Sequence, residues 1–118
     1  MLLLVKIDMS NITNMNLKEY KEFHTTTVQK DFSLLYYGVG LGGESGEVLN
    51  EIKKIYRKNQ EEDKPVLKED RQKLILEMGD VVWYLTAMAK KIDVTLEEVL
   101  KMNKEKLTER MKKLNSGK

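Results

Sequence analysis

The sequence predicts an all-α fold of four main helices, and three observations carry that expectation. A single proline in 118 residues, with abundant Lys, Glu, Leu and Met, removes the strongest helix breaker and supplies good helix formers. Two capping boxes, Asn16-Leu17-Lys18-Glu19 and Thr95-Leu96-Glu97-Glu98, mark helix starts. Between them, apolar residues recur at the three- and four-residue spacing of a helix face.

The first helix is expected to open at the Asn16 cap, with Leu17, Tyr20 and Phe23 as its apolar stripe and a break at residues 31–33. A long second helix follows from Leu34, carrying Leu41, Val48, Ile52 and Ile55 on one face. Five glycines, at 38, 40, 42, 43 and 46, each weaken that helix by roughly 1 kcal/mol relative to alanine. Such residues earn their place where another backbone or a ligand must come close. The polar run 59–65, ended by Pro65, reads as a loop. A third helix is expected over 68–92; its stretch 81–89 is apolar on nearly every side, which suits a central position or an interface with another subunit. The Thr95 box opens the fourth helix, with Leu96, Val99, Leu100, Met102, Leu107 and Met111.

The length fits one domain. Residues 1–14 read as an N-terminal extension, 15–114 as the helical domain and 115–118 as a frayed tail. A formal net charge of +2 gives no bulk electrostatic case for wrapping nucleic acid. The apolar opening is too short for a membrane span and has no basic segment before it. The absence of cysteine excludes disulfides, zinc-thiolate sites and thiol nucleophiles, and fits a reducing cytoplasm.

Chemistry concentrates in two acidic pairs. Glu44 and Glu47 stand three residues apart on the second helix, Glu77 and Asp80 three apart on the third, and that spacing puts each pair on one helix face. Four facing carboxylates repel one another and lose solvation, so they require protons or cations. Hard oxygen ligands of this kind suit magnesium, or alternatively manganese. Glu51 continues the strip one turn beyond Glu47. The plainer alternative is a solvated strip paired with lysines, and Lys73, four residues before Glu77, is one available partner. Glu77 and Asp80 nevertheless share a face with Val81, Tyr84 and Met88, as a purely solvent-facing strip would not. Lys54 lies on the side of Glu47 and Glu51 and is the better placed cation for an anionic substrate. His24, the only histidine, lies outside both acidic motifs and reads as a surface or packing residue. Trp83, Tyr84, Tyr36 and Tyr37 read as core aromatics or as platforms for a base.

Four segments in this order resemble the MazG-like nucleoside triphosphate pyrophosphohydrolases of the all-α NTP pyrophosphatase superfamily. They are Leu17-Lys18-Glu19-Tyr20 with Phe23; Gly40-Leu41-Gly42-Gly43-Glu44-Ser45-Gly46-Glu47-Val48; Glu77-Met78-Gly79-Asp80-Val81-Val82-Trp83-Tyr84-Leu85; and Leu96-Glu97-Glu98-Val99 with Asn103, Lys106 and Arg110. The resemblance implies cleavage of a nucleoside triphosphate between its α and β phosphates, giving the monophosphate and pyrophosphate, with noncanonical or surplus deoxynucleotides as substrates. It implies magnesium held by Glu44, Glu47, Glu77 and Asp80, and nucleotide contacts from Asn103, Lys106 and Arg110. Some members carry a glutamate doublet where this chain has Gly43 before Glu44. Glu47 or Glu51 is the expected general base. A homodimer or homotetramer is the expected assembly. Two alternatives stand beside this reading: a related deoxynucleotide-specific or phosphoribosyl-ATP pyrophosphohydrolase, and a noncatalytic helical oligomerisation module.

Overall fold

A computed structural model describes residues 14–117, and within them the chain is all-α. The expected N-terminal extension falls, but for residue 14, outside the described residues. The helices are α1 (Leu17–Thr27), α2 (Leu34–Lys58), α3 (Lys68–Lys91) and α4 (Leu96–Ser116).

Each start has a local chemical cause. Asn16 Oδ1 accepts from Glu19 N at 2.8 Å while its Nδ2 donates to Glu19 Oε1 at 2.9 Å. Ser33 Oγ accepts from Tyr36 N at the start of α2, and Thr95 and Glu98 form a full capping box for α4. α3 lacks a side-chain cap; Glu69 and Asp70 in its first turn face the positive end of the helix dipole instead.

The ends of α2 and α3 share a geometry that the composition does not announce. After α3, Asp93 takes a left-handed conformation (φ 56°), Asp93 N donates to Lys90 O at 3.2 Å and Val94 N to Ala89 O at 2.9 Å. After α2, Gln60 (φ 58°) and Glu61 (φ 61°) are left-handed, with Gln60 N on Arg57 O and Glu61 N on Tyr56 O. These are Schellman closures built without glycine. α4 continues through Asn115 and Ser116, and Ser116 Oγ donates to Lys113 O at 3.2 Å.

α2 and α3 form an antiparallel hairpin with the largest interface of the molecule. Its register is fixed at both ends: Lys58 pairs with Asp70 at 3.2 Å beside the loop, and the Tyr84 ring lies against Gly40 at the other end. α1 crosses that second end and packs on α3. The linker behind it is held by Tyr37, whose hydroxyl accepts from Phe32 N and donates to Lys30 O, and by an ion pair between Asp31 and Lys91. α4 is anchored at its first turn, where Leu96 and Glu97 meet Leu17, Lys21 and Lys90.

Among the described residues the buried set is small: His24, Tyr37, Ile55, Thr86, Ala87 and Ala89. α4 buries none of its residues, and Met102 is 70% exposed. The expected all-round burial of 81–89 holds for Thr86, Ala87 and Ala89, whereas Val82 and Leu85 lie on the surface of this single chain. No described helix is long and apolar enough to cross a membrane.

Candidate metal centre

The hairpin register brings the two acidic motifs face to face. Carboxylate oxygens of Glu44 on α2 and of Glu77 and Asp80 on α3 all lie within 4.8 Å of one another. Oxygens around a magnesium ion at its usual bond length are separated by about 3 to 4 Å, so small side-chain rotations would close this set on a cation. The donors are hard, anionic and of one chemical kind, as a magnesium or manganese site requires.

Electrostatics identify the same group. The Glu44 carboxyl is raised above its ordinary range by burial, then by the charges of Asp80, Glu77 and Glu47. Glu77 is raised by burial, then by Asp80, Glu47 and Glu51, with Lys54 opposing. Asp80 is exposed as a residue, yet protein crowding around its carboxyl raises it as well. Burial leads in all three shifts, and the neighbouring carboxylates add to it at Glu44 and Glu77.

Glu47 stands apart from the three. It is exposed and outside the converging set, and it reaches Glu44 and Glu77 through its charge. Glu51 is partly buried and accepts from Lys54 Nζ at 3.4 Å. Lys54 is therefore the cation that Glu77 feels; Lys73 forms no ion pair among the described residues. Asn103, Lys106 and Arg110 lie on the exposed face of α4, whose first turn alone is tucked against α1 and α3. The structure thus gathers Glu44, Glu77 and Asp80, keeps Glu47, Glu51 and Lys54 at the rim, and leaves the three α4 residues open to solvent.

Two tyrosines feel the charge of the acids: Tyr84, read from the sequence as a core aromatic or a platform for a base, and Tyr20, to which the sequence gave only a place in the apolar stripe of α1. Tyr84, one turn beyond Asp80, is raised by burial and then by Tyr36, Glu44, Asp80 and Tyr37. A Cβ at Gly40 would overlap its ring, while Gly38, Gly42, Gly43 and Gly46 have open space at that position. Of the glycines in α2, Gly40 is the one that close packing demands. Tyr20 of α1 is raised by burial and then by the Asp80 charge, so α1 comes within electrostatic reach of the acids. Glycine spacing was a signal for the first tyrosine; nothing in the sequence gave the crossing of α1 that places the second. Beyond Tyr84, the aromatic cluster continues through Trp83, Tyr37 and Tyr36, and Phe32 stacks on Tyr36 with centroids 3.9 Å apart.

Comparison with known proteins gives the family of this chain. The model of the MazG nucleotide pyrophosphohydrolase domain matches residues 32–115, which include both acidic helices and all but the last residue of α4. The chain belongs to the MazG family. Among its relatives is the gene 37 protein of Mycobacterium phage L5, 42% identical over 77 residues that make up 65% of either chain. Another is the uncharacterized protein YvdC of Bacillus subtilis (strain 168), 38% identical over 69 residues, covering 57% of this chain and 65% of the relative. The MazG chain described here thus spans a little under two thirds of the length of both relatives. No solved structure matches it.

Proposed function

We propose that this MazG-family chain hydrolyses nucleoside triphosphates to the monophosphate and pyrophosphate with the help of magnesium, or of manganese in its place. The convergence of Glu44, Glu77 and Asp80 carries this reading, supported by a family match that covers all three. A divalent cation held there supplies Lewis-acid charge to the phosphate oxygens. The three carboxylates fix its position between the helices. Glu47, free of that cluster, is the better of the two candidate bases, because Glu51 already accepts from Lys54. Lys54 offers its ammonium, 62% exposed, to the phosphate tail at the rim.

The remaining nucleotide contacts, from Asn103, Lys106 and Arg110, require α4 to face an acidic cluster. In this single chain α4 projects with its apolar side uncovered, including Leu100, Met102, Met111 and Leu114. A homodimer or homotetramer would cover that side and bring the α4 cations of one subunit toward the acids of another. Noncanonical or surplus deoxynucleotides are the proposed substrates, and the aromatic cluster beside Tyr84 is the surface on which a base would stack.

The test is pyrophosphate release from a panel of ribo- and deoxynucleoside triphosphates with magnesium, then with EDTA. Glu44→Gln and Asp80→Asn should each lower turnover on the order of 100-fold or more, the scale of losing a transition-state charge stabiliser. Circular dichroism should show both variants folded. Release that persists in EDTA, or full activity in both variants, would refute the proposal, and metal-loaded protein inert on every nucleotide would favour the noncatalytic module.

A further inference from the structure

α1 is held on α3 by a buried polar cluster for which the acidic site has no use. His24 is completely buried, and both of its ring nitrogens are engaged: Nε2 lies 3.0 Å from the Trp83 carbonyl oxygen and Nδ1 lies 2.8 Å from Lys90 Nζ. A carbonyl oxygen only accepts, so Nε2 carries the proton. Nδ1 is then the acceptor and Lys90 the donor. The other two protons of the Lys90 ammonium go to Lys21 O at 3.3 Å and Thr25 Oγ1 at 2.9 Å. One tautomer of one charge state satisfies every group. Against it, Trp83 Nε1 donates to Thr27 Oγ1 at 2.7 Å, and the indole and imidazole centroids stand 4.6 Å apart.

We propose that His24 and Lys90 form an acid-sensitive latch, which docks α1 on α3 while the imidazole is neutral and releases it when the imidazole gains a proton. That proton would have to sit on Nδ1, pointing at an ammonium 2.8 Å away. The surroundings offer little relief. From α1 come Tyr20 and the cation of Lys21; from α3 come Trp83 and Lys90; α2 contributes Tyr37, against Trp83. Glu97 at the start of α4 lines the small cavity shared with Lys21 and Lys90. Among the described residues, neither His24 nor Lys90 forms an ion pair with a carboxylate.

Burial first, and the Lys90 charge second, press the imidazole below its ordinary value of 6.5, with the Trp83 carbonyl opposing. The docked state therefore binds fewer protons than the released one. Docking is at full strength above 6.5 and weakens as pH falls from there toward the lowered value of the docked imidazole. Tyr20, one turn before His24 with ring centroids 6.3 Å apart, lies within reach of the Asp80 charge, so release of α1 would also be felt at the acidic site. His24 and Lys90 thus act as positioning residues for Tyr20.

The full chain holds one histidine and one tryptophan, so both signals are unambiguous. Nitrogen-15 NMR of the imidazole at pH 7.5 should show the Nε2–H tautomer, and its titration midpoint should fall below 6.5. Trp83 fluorescence should change with the same midpoint while far-UV circular dichroism keeps most of its helical signal. Lys90→Met should move the midpoint up toward the ordinary value of about 6.5, and His24→Gln should abolish the fluorescence step. The latch is overturned by an Nδ1–H tautomer, by a midpoint at or above 6.5 in the unaltered chain, by a step that survives His24→Gln, or by loss of the whole helical signal at that midpoint.

Discussion

At the scale of single residues, the acidic cluster is a liability to the folded chain until a cation joins it. The carboxyls of Glu44, Glu77 and Asp80 are all raised, so the native state holds protons that the unfolded state has released. Stability of the metal-free protein should therefore rise as pH falls from above these raised values toward ordinary carboxylate values. Thermal melts of the His24→Gln chain between pH 7 and pH 5 in EDTA check this without the opposing titration of the imidazole; millimolar magnesium should raise the melting temperature at pH 7.5 and do so less at pH 5.5. Gly40 is sensitive for a steric reason. A methyl group there meets the Tyr84 ring, and Gly40→Ala should destabilise the fold by about 1 to 3 kcal/mol through overpacking, measured by urea unfolding. Gly42→Ala meets open space and should gain from higher helix propensity, a contrast that separates packing from propensity.

At the scale of elements, what the sequence disclosed and what it withheld divide along local chemistry. Asn16 and Thr95 announced their helices because a cap and its glutamate sit within four residues. The ends of α2 and α3 were legible to within a residue, but their left-handed closure gave no such notice, since Gln60 and Asp93 occupy the position where glycine is the usual signal. Asp93→Gly should relieve that strain and stabilise the protein by about 1 kcal/mol, read as a higher urea midpoint at unchanged slope. The acids were legible as pairs because three-residue spacing defines a helix face. Their unequal placement was not: the hairpin register admits Glu44 to the cluster with Glu77 and Asp80 and leaves Glu47 at the rim. Register depends on contacts such as Lys58 with Asp70 and Gly40 with Tyr84, which join residues distant in the chain. His24 shows the same limit, since its burial follows from how α1 crosses α3.

At the scale of the molecule, one chain leaves much apolar surface in water. Leu35, Val39 and Leu49 of α2 and Leu100, Met102, Met111 and Leu114 of α4 are all exposed, more than scattered surface residues explain. Sedimentation should find a dimer or tetramer, and Leu100→Glu with Met102→Glu should shift it toward monomer. If α4 faces the acids of another subunit, the same pair of changes should also depress nucleotide turnover. A monomer at all concentrations would remove that arrangement.

All three converging carboxylates belong to a single hairpin, and this bears on how the chain acquires its shape. Pairing of neighbouring segments closes short loops and proceeds early, whereas docking of α1 on α3 joins partners more distant in the chain, such as His24 with Trp83 and Lys21 with Lys90. Chelation is thus available to a half-made protein. Added magnesium should quicken refolding and leave the unfolding limb of a chevron nearly unchanged, the reverse of an ion captured only after assembly.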